Sequence, residues 1–399
     1  MPTWIIEPRD PLIVRDGRPF GPDPGARARS LSFPFPSTIT GGVRNRAGLG
    51  ANGMFDHGQI DRVKRDVSAR GPLLVELVDD AKQMRLSWLA PAPADALLLS
   101  VDDKTRAKIL QLVPIASPQG ATYGQVAGTT LALIGLRAHF AEKLLPAPPR
   151  FWHWDAFANW LLTPQEGERM LAEVGLAGPT AEIRMHVGID PEAQTSFEGL
   201  LFQTAGLEFT GPKRRRLALA VATDTTFQHF AGGLAPLGGE RRLVAWRQID
   251  TGLPACPAEL RKRIVERRAC RVVLLTPGYF TAGFRPTWLL EPHAGVAATL
   301  QAALVGRPQV VSGWDLAAER ITASGRREFG APKPIRRLAP SGSVFFLSLP
   351  KDVDTEAIDK WIDCLWMQNV SDDDASRSEG FGLAALGVWS GELEPMEVN

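Results

Sequence analysis

Proline and glycine place the tightest limit on what this chain can fold into. They occur 32 and 38 times in 399 residues. They gather at 19–25, 114–124, 146–150, 231–239 and 330–342. Proline fixes φ and lacks a backbone donor, and glycine loses the most conformational freedom on ordering. Long helices and long central strands are therefore excluded across these stretches, and the runs between them are short. Residues 72–78 (PLLVELV), 84–90 and 96–101 read as strands with polar breaks. Further strands are expected at 182–189, 199–209, 216–222, 242–249, 271–276, 308–312 and 343–349. Many are near-continuous in Leu and Val, the pattern of sheets covered by helices. The expected class is α+β, with long irregular loops, which carry function when they are long.

Four helices stand out. One runs over 38–49 after Pro36 and Ser37. A second is expected from the capping box of Thr163, Pro164 and Glu166, ending at Gly175. Residues 256–268 form a third, strongly basic one. In the fourth, over 354–369, Ile358, Trp361, Ile362, Leu365 and Trp366 recur at helical spacing. That stripe either packs inward or makes an assembly interface.

Hydrophobic residues reach 44%, enough for packed cores, and a net charge of +1 gives no global pull toward nucleic acid. The distribution is more telling. Arginines number 35 and lysines ten, with clusters at 213–216, 261–271 and 326–337. The guanidinium fork suits phosphate, although a GC-rich genome also inflates arginine. Cys256, Cys270 and Cys364 have no CxxC spacing, so neither a disulfide framework nor a zinc site is expected. With no long apolar run and no signal-like start, a cytoplasmic protein is expected.

No constellation asks for catalysis. The six histidines are scattered, without HExxH, and neither GxSxG nor a Walker-A motif occurs. Asp372, Asp373 and Asp374 have the chemistry to hold a cation, but their Ser and Ala neighbours favour a solvated loop. No metal, no cofactor and no enzyme activity are expected.

Binding is better supported. Ser37 and Thr38 open a helix that continues through Gly41 and Gly42 to Arg44 and Arg46, which makes either a phosphate site or a plain capped helix. Gly380-Phe381-Gly382 after Arg377 either brings amides and a stacking ring to a ligand or makes a tight turn. Gly238-Gly239 before Arg241 and Arg242 is either a binding turn or a solvated hairpin tip.

Taken in order, these segments resemble one family. The set begins with Trp4-Ile5-Ile6-Glu7-Pro8, Asp10-Pro11-Leu12, Arg15-Asp16-Gly17-Arg18-Pro19-Phe20 and Pro36-Ser37-Thr38 with Gly41-Gly42-Val43-Arg44. It continues through His186-Val187-Gly188-Ile189-Asp190, Glu198-Gly199-Leu200-Leu201-Phe202 and Leu237-Gly238-Gly239-Glu240-Arg241-Arg242. It closes with Leu275-Thr276-Pro277-Gly278-Tyr279-Phe280, Ser312-Gly313-Trp314-Asp315, Pro332-Lys333-Pro334, Pro340-Ser341-Gly342-Ser343-Val344 and Gly380-Phe381-Gly382. This ordered set is similar to the Cmr3-type RAMP subunits of the type III-B CRISPR (Cmr) effector complex.

The resemblance implies two ferredoxin-like (RRM-like) units. The first would span 1–212 with an insertion around 50–180. The second would span 213–399 with a Gly-rich loop near 377–382. It implies a non-catalytic ribonucleoprotein subunit in antiviral defence that binds the repeat-derived 5′ tag of the guide RNA (crRNA). Its partners would be the large polymerase-like Cas subunit and a RAMP backbone subunit, with no membrane. The RNA-facing residues it implies are Arg15, Arg18, Ser37, Thr38, Arg44, His186, Arg241, Arg242, Lys333, Arg377, Gly380, Phe381 and Gly382. Two alternatives stand beside it: a RAMP endoribonuclease that processes repeat RNA, and a purely structural bridge.

Overall fold

The computed structural model describes residues 2–15, 27–28, 30–50, 52–80, 83–116, 125–126, 129–211, 215–223, 232–322 and 325–395. The fold is mixed α/β with several sheets. The largest has eight strands, every pair antiparallel. Its order is Gly175–Leu176, Phe151–His153, Gln83–Pro91, Ala69–Asp80, Arg216–Thr223, Thr3–Pro8, Leu243–Ile249 and Gly233–Pro236. The expected division at 212 falls inside this sheet, because Thr3–Pro8 pairs on both sides with strands that come after residue 213.

The second major layer is an antiparallel sheet of Thr299–Leu304, Val344–Ser348, Ala269–Leu274 and Ala384–Val388. Trp154–Leu162, Ala258–Arg267 and Thr355–Leu365 cover it. Its strands read as near-continuous apolar runs because helices exclude water from them. The helix Thr355–Leu365 is capped by Asp354, whose carboxylate accepts from Ala357 N at 2.6 Å. Ile358, Trp361, Ile362 and Leu365 are fully buried and Trp366 nearly so, which settles the stripe as core. The basic helix Ala258–Arg267 turns to the same neighbour. Arg261 donates to Asp359 O at 3.0 Å and ion-pairs with the Asp363 carboxylate. This part of the 261–271 charge run is thus taken up inside the fold.

Elsewhere the strand predictions hold to within a few residues, and one helix forms only as its last turn, Leu171–Val174, which ends at Gly175 as expected. Instead of a helix from Thr163, the chain makes the strand Gly167–Met170, paired with Arg106–Gln111. Glu166 leaves Thr163 uncapped because its carboxylate accepts from Gln111 N at 2.8 Å and from Arg137 at 3.2 Å. Tertiary pairing overrides a good local cap. One apolar core joins both halves: Leu73, Ala90, Trp152 and Trp160 pack with Val272, Phe346 and Leu386.

At its centre Arg271 and Asp95 form a wholly enclosed ion pair. Trp160 completes it, its Nε1 donating to Asp95 at 3.0 Å while its carbonyl accepts from Arg271. No helix is long and apolar enough to cross a membrane among the described residues.

Candidate nucleic-acid interface

The helix Pro36–Ala47 organises the site. Ile39 and Val43 are buried beneath it, so the helical period turns Ser37, Thr38, Gly41 and Asn45 outward. Gly41 and Asn45 are exposed, Ser37 and Thr38 are half-buried, and a Cβ on Gly41 would meet nothing within 4 Å. On one flank Thr40 Oγ1 donates to Glu379 O at 2.7 Å and Arg44 Nη2 donates to Ser378 Oγ at 2.9 Å. On the other flank Gly42 lies against Leu237 and Trp246, and Arg46 sits 5.6 Å above the Trp246 ring. The two glycine turns predicted as binding segments therefore stand on either side of one helix.

The first flank is the glycine-rich loop. It is gripped between this helix and the turn at 275–277. Thr276 Oγ1 donates to Gly380 O at 2.8 Å, and Gly382 N donates to Pro277 O at 2.8 Å. Gly380 has φ +96°, and a Cβ there would stand 2.6 Å from Gly71 O. These glycines thus permit close approach to the protein's own backbone. Phe381 is fully buried against Phe35, at 6.4 Å, and beneath the Arg336 guanidinium, at 4.8 Å. The expected stacking role for Phe381 is thereby corrected, because no face of its ring is left for a base.

The cations around the loop are bonded to it. Lys333 Nζ reaches Glu379 Oε1 at 2.7 Å, and Arg336 Nη2 reaches Glu379 Oε2 at 3.0 Å. Arg377 donates to Asp372 O at 2.8 Å, pairs with the Asp374 carboxylate, and lies 4.7 Å from the Trp288 ring. Arg44 also donates to Val67 O at 3.1 Å. The acidic triplet is structural. Asp372 accepts from Thr281 N at 2.8 Å and Trp288 N at 2.9 Å, and Asp373 caps the short helix Asp374–Ser378. Among the described residues no group of three or more His, Cys, Asp or Glu side chains comes together to hold a metal.

Glu379 is the buried acid of this cluster. Burial pushes its carboxyl up, but the hydrogen bonds and charges of Lys333 and Arg336 outweigh burial and hold it below the ordinary glutamate range. A depressed folded value means that stability is present above the ordinary range and is lost as pH falls through the depressed value. Glu379→Gln should therefore cost about 1–3 kcal/mol at neutral pH. In urea titrations the gap from the parent should narrow below about pH 4.

The second flank carries the exposed cations. Gly239 N donates to Ile13 O at 2.7 Å, which fixes the Gly238 turn two residues from exposed Arg15. Arg241 is exposed, and Arg242 pairs with Glu240 at 2.9 Å. His186 sits on the hairpin of Thr180–Ile189 and Ser196–Glu208. Its Nε2 is 2.8 Å from Thr204 Oγ1, and Phe202 stacks on it at 5.2 Å. Arg18 lies outside the described residues.

Sequence reasoning missed Arg336, Glu379 and Thr40. A lone acid inside the Arg377–Gly382 run, facing the basic 326–337 stretch, was the available signal for the first two.

Fold and site together define a mixed α/β scaffold in which glycine turns from distant parts of the chain close around one helix. The chain belongs to the family described as CRISPR-associated protein (Cas_Cmr3), whose sequence model matches residues 4–389. This is a family of the type III-B Cmr complex. Two solved structures are similar over 86% of both chains, at 15% identity and a TM-score of 0.44. They are type III-B Cmr-beta bound to cognate target RNA with AMPPnP, state 1, and the same assembly bound to cognate target RNA. No curated protein matches the chain.

Proposed function

We propose that this chain is a non-catalytic subunit that holds the repeat-derived 5′ tag of a guide RNA. In this reading it also bridges the large polymerase-like subunit to the RAMP backbone. The observation that carries the reading is the placement of both glycine turns on opposite flanks of the Pro36–Ala47 helix. The outward Ser37, Thr38, Gly41 and Asn45 form the floor of the proposed track. Arg15 and Arg241 supply accessible charge beside it, and Lys333, about a third exposed, supplies it on the other side. Arg44, Arg377, Gly380 and Gly382 hold the walls. The two halves are read as ferredoxin-like units fused through the common core.

Phosphate contacts give affinity that falls steeply with salt. Arg15→Glu combined with Arg241→Glu should weaken binding of a tagged guide RNA about 10–100-fold at low salt. For a single strand, two lost contacts should reduce the log–log salt slope by about 1.4. Fluorescence polarisation over a salt series checks both. Unchanged affinity and slope would favour the purely structural bridge.

A further inference from the structure

Between the two halves lies a cleft of about 710 Å³. One wall is the run 31–36, every residue of which lines it. The other includes Gln309, Val310 and Ser312. Neighbouring residues of a strand point to opposite faces. A strand that lines a space with both Gln309 and Val310 therefore meets that space with its edge. Gln309–Val311 is the terminal strand of its sheet, and its other edge is taken by Arg336–Ala339. Among the described residues the edge toward the cleft is the unpaired one. An unpaired edge is a template for another strand.

The lining chemistry narrows what fits. Among the described residues it contains no carboxylate and one charged residue, Arg150, whose Nη2 donates to Ser32 O at 3.2 Å and whose guanidinium lies 5.5 Å from the Phe151 ring centre. Phe33, Phe35 and several prolines make the rest apolar. Gln309 Oε1 is enclosed and has no hydrogen-bond partner among the described residues. At the lip Val310 and Ile335 are 55% and 73% exposed. A single-stranded nucleic acid would bring several phosphates to one cation, a poor match.

We propose that the cleft takes an extended segment of another polypeptide, added as a strand to the free edge of Gln309–Val311. Its apolar side chains enter between the rings and prolines, and one of its carboxylates meets Arg150. Pairing of this kind draws affinity from the main chain and specificity from alternate side-chain pockets. The inference goes beyond the RNA reading and stands without it.

The test places the photo-crosslinker p-benzoylphenylalanine at Val310 in the chain purified within its assembled complex, and maps adducts by mass spectrometry. The expected adduct is one segment of another subunit that carries Asp or Glu. Arg150→Glu should reduce its yield about tenfold, the size of one unfavourable charge contact. Gln309→Glu, which adds a carboxylate to the same slot without touching Arg150, should do likewise if Arg150→Glu fails to fold. Adducts to RNA, adducts only within this chain, no adduct, a segment without an acid, or indifference to the folded variants would each overturn the proposal.

Discussion

Replacing Arg271 by methionine is expected to destabilise the protein by about 3–5 kcal/mol, because the change leaves Asp95 as a buried, unpaired carboxylate. Both side chains are wholly enclosed, and Arg271 also donates to the Trp160 carbonyl. Methionine keeps most of the stem's volume, so the loss reports the charge and not a cavity. The pair joins separate parts of the sequence: Asp95 precedes the Ala96–Ser100 strand, and Arg271 lies in the C-terminal sheet. Removing both charges, in Asp95→Leu with Arg271→Met, should recover at least about 2 kcal/mol, since apolar replacement of a buried pair is often near neutral. Urea unfolding of the parent, both single variants and the double gives the coupling directly. A cost below about 1 kcal/mol for Arg271→Met would show that water reaches Asp95.

The same pair marks where the sequence stops being readable. Arg271 appears in the primary structure as one more member of a basic stretch, and although it opens the apolar run 271–276, nothing local names the partner that burial of its charge requires. Its burial depends on Asp95, 176 positions away. Short apolar runs and the 3.6-residue period are legible because each is written within about ten residues. This is why the strands and the 354–369 stripe were found. The Thr163 cap failed because Glu166 met Gln111 and Arg137 instead.

The site was half legible for a related reason. Glycine turns announce unusual backbone, so their importance was visible, but whether the close neighbour is a ligand or the chain itself is a tertiary fact. For Gly380 it is Gly71, and for Gly238 it is Ile13. Phe381 suggests a stacking ring in the sequence because it stands between two glycines after Arg377. It is buried because Phe35 and Arg336 cover it.

Gly380→Ala is the sharpest test of the loop as a clamp. At φ +96° an alanine is strained by about 1–3 kcal/mol. Its Cβ would also stand 2.6 Å from Gly71 O, a backbone atom that yields only by moving a strand. The expected destabilisation is therefore about 3 kcal/mol or more. Relief requires the loop to lift, which would stretch the bonds from Thr276 to Gly380 O and from Thr40 to Glu379 O. Amide exchange should accelerate together in 369–383 and in the Pro36–Ala47 helix, and guide-RNA affinity should fall with it. Gly41→Ala supplies the opposite sign. That residue is helical and exposed, with open space where the methyl would go, so alanine should stabilise by about 0.5–1 kcal/mol. A Gly380→Ala protein as stable as the parent, with unchanged exchange in the helix, would mean that the loop does not hold the Pro36–Ala47 helix in place. The two flanks would then owe their positions to the Ile39 and Val43 packing alone.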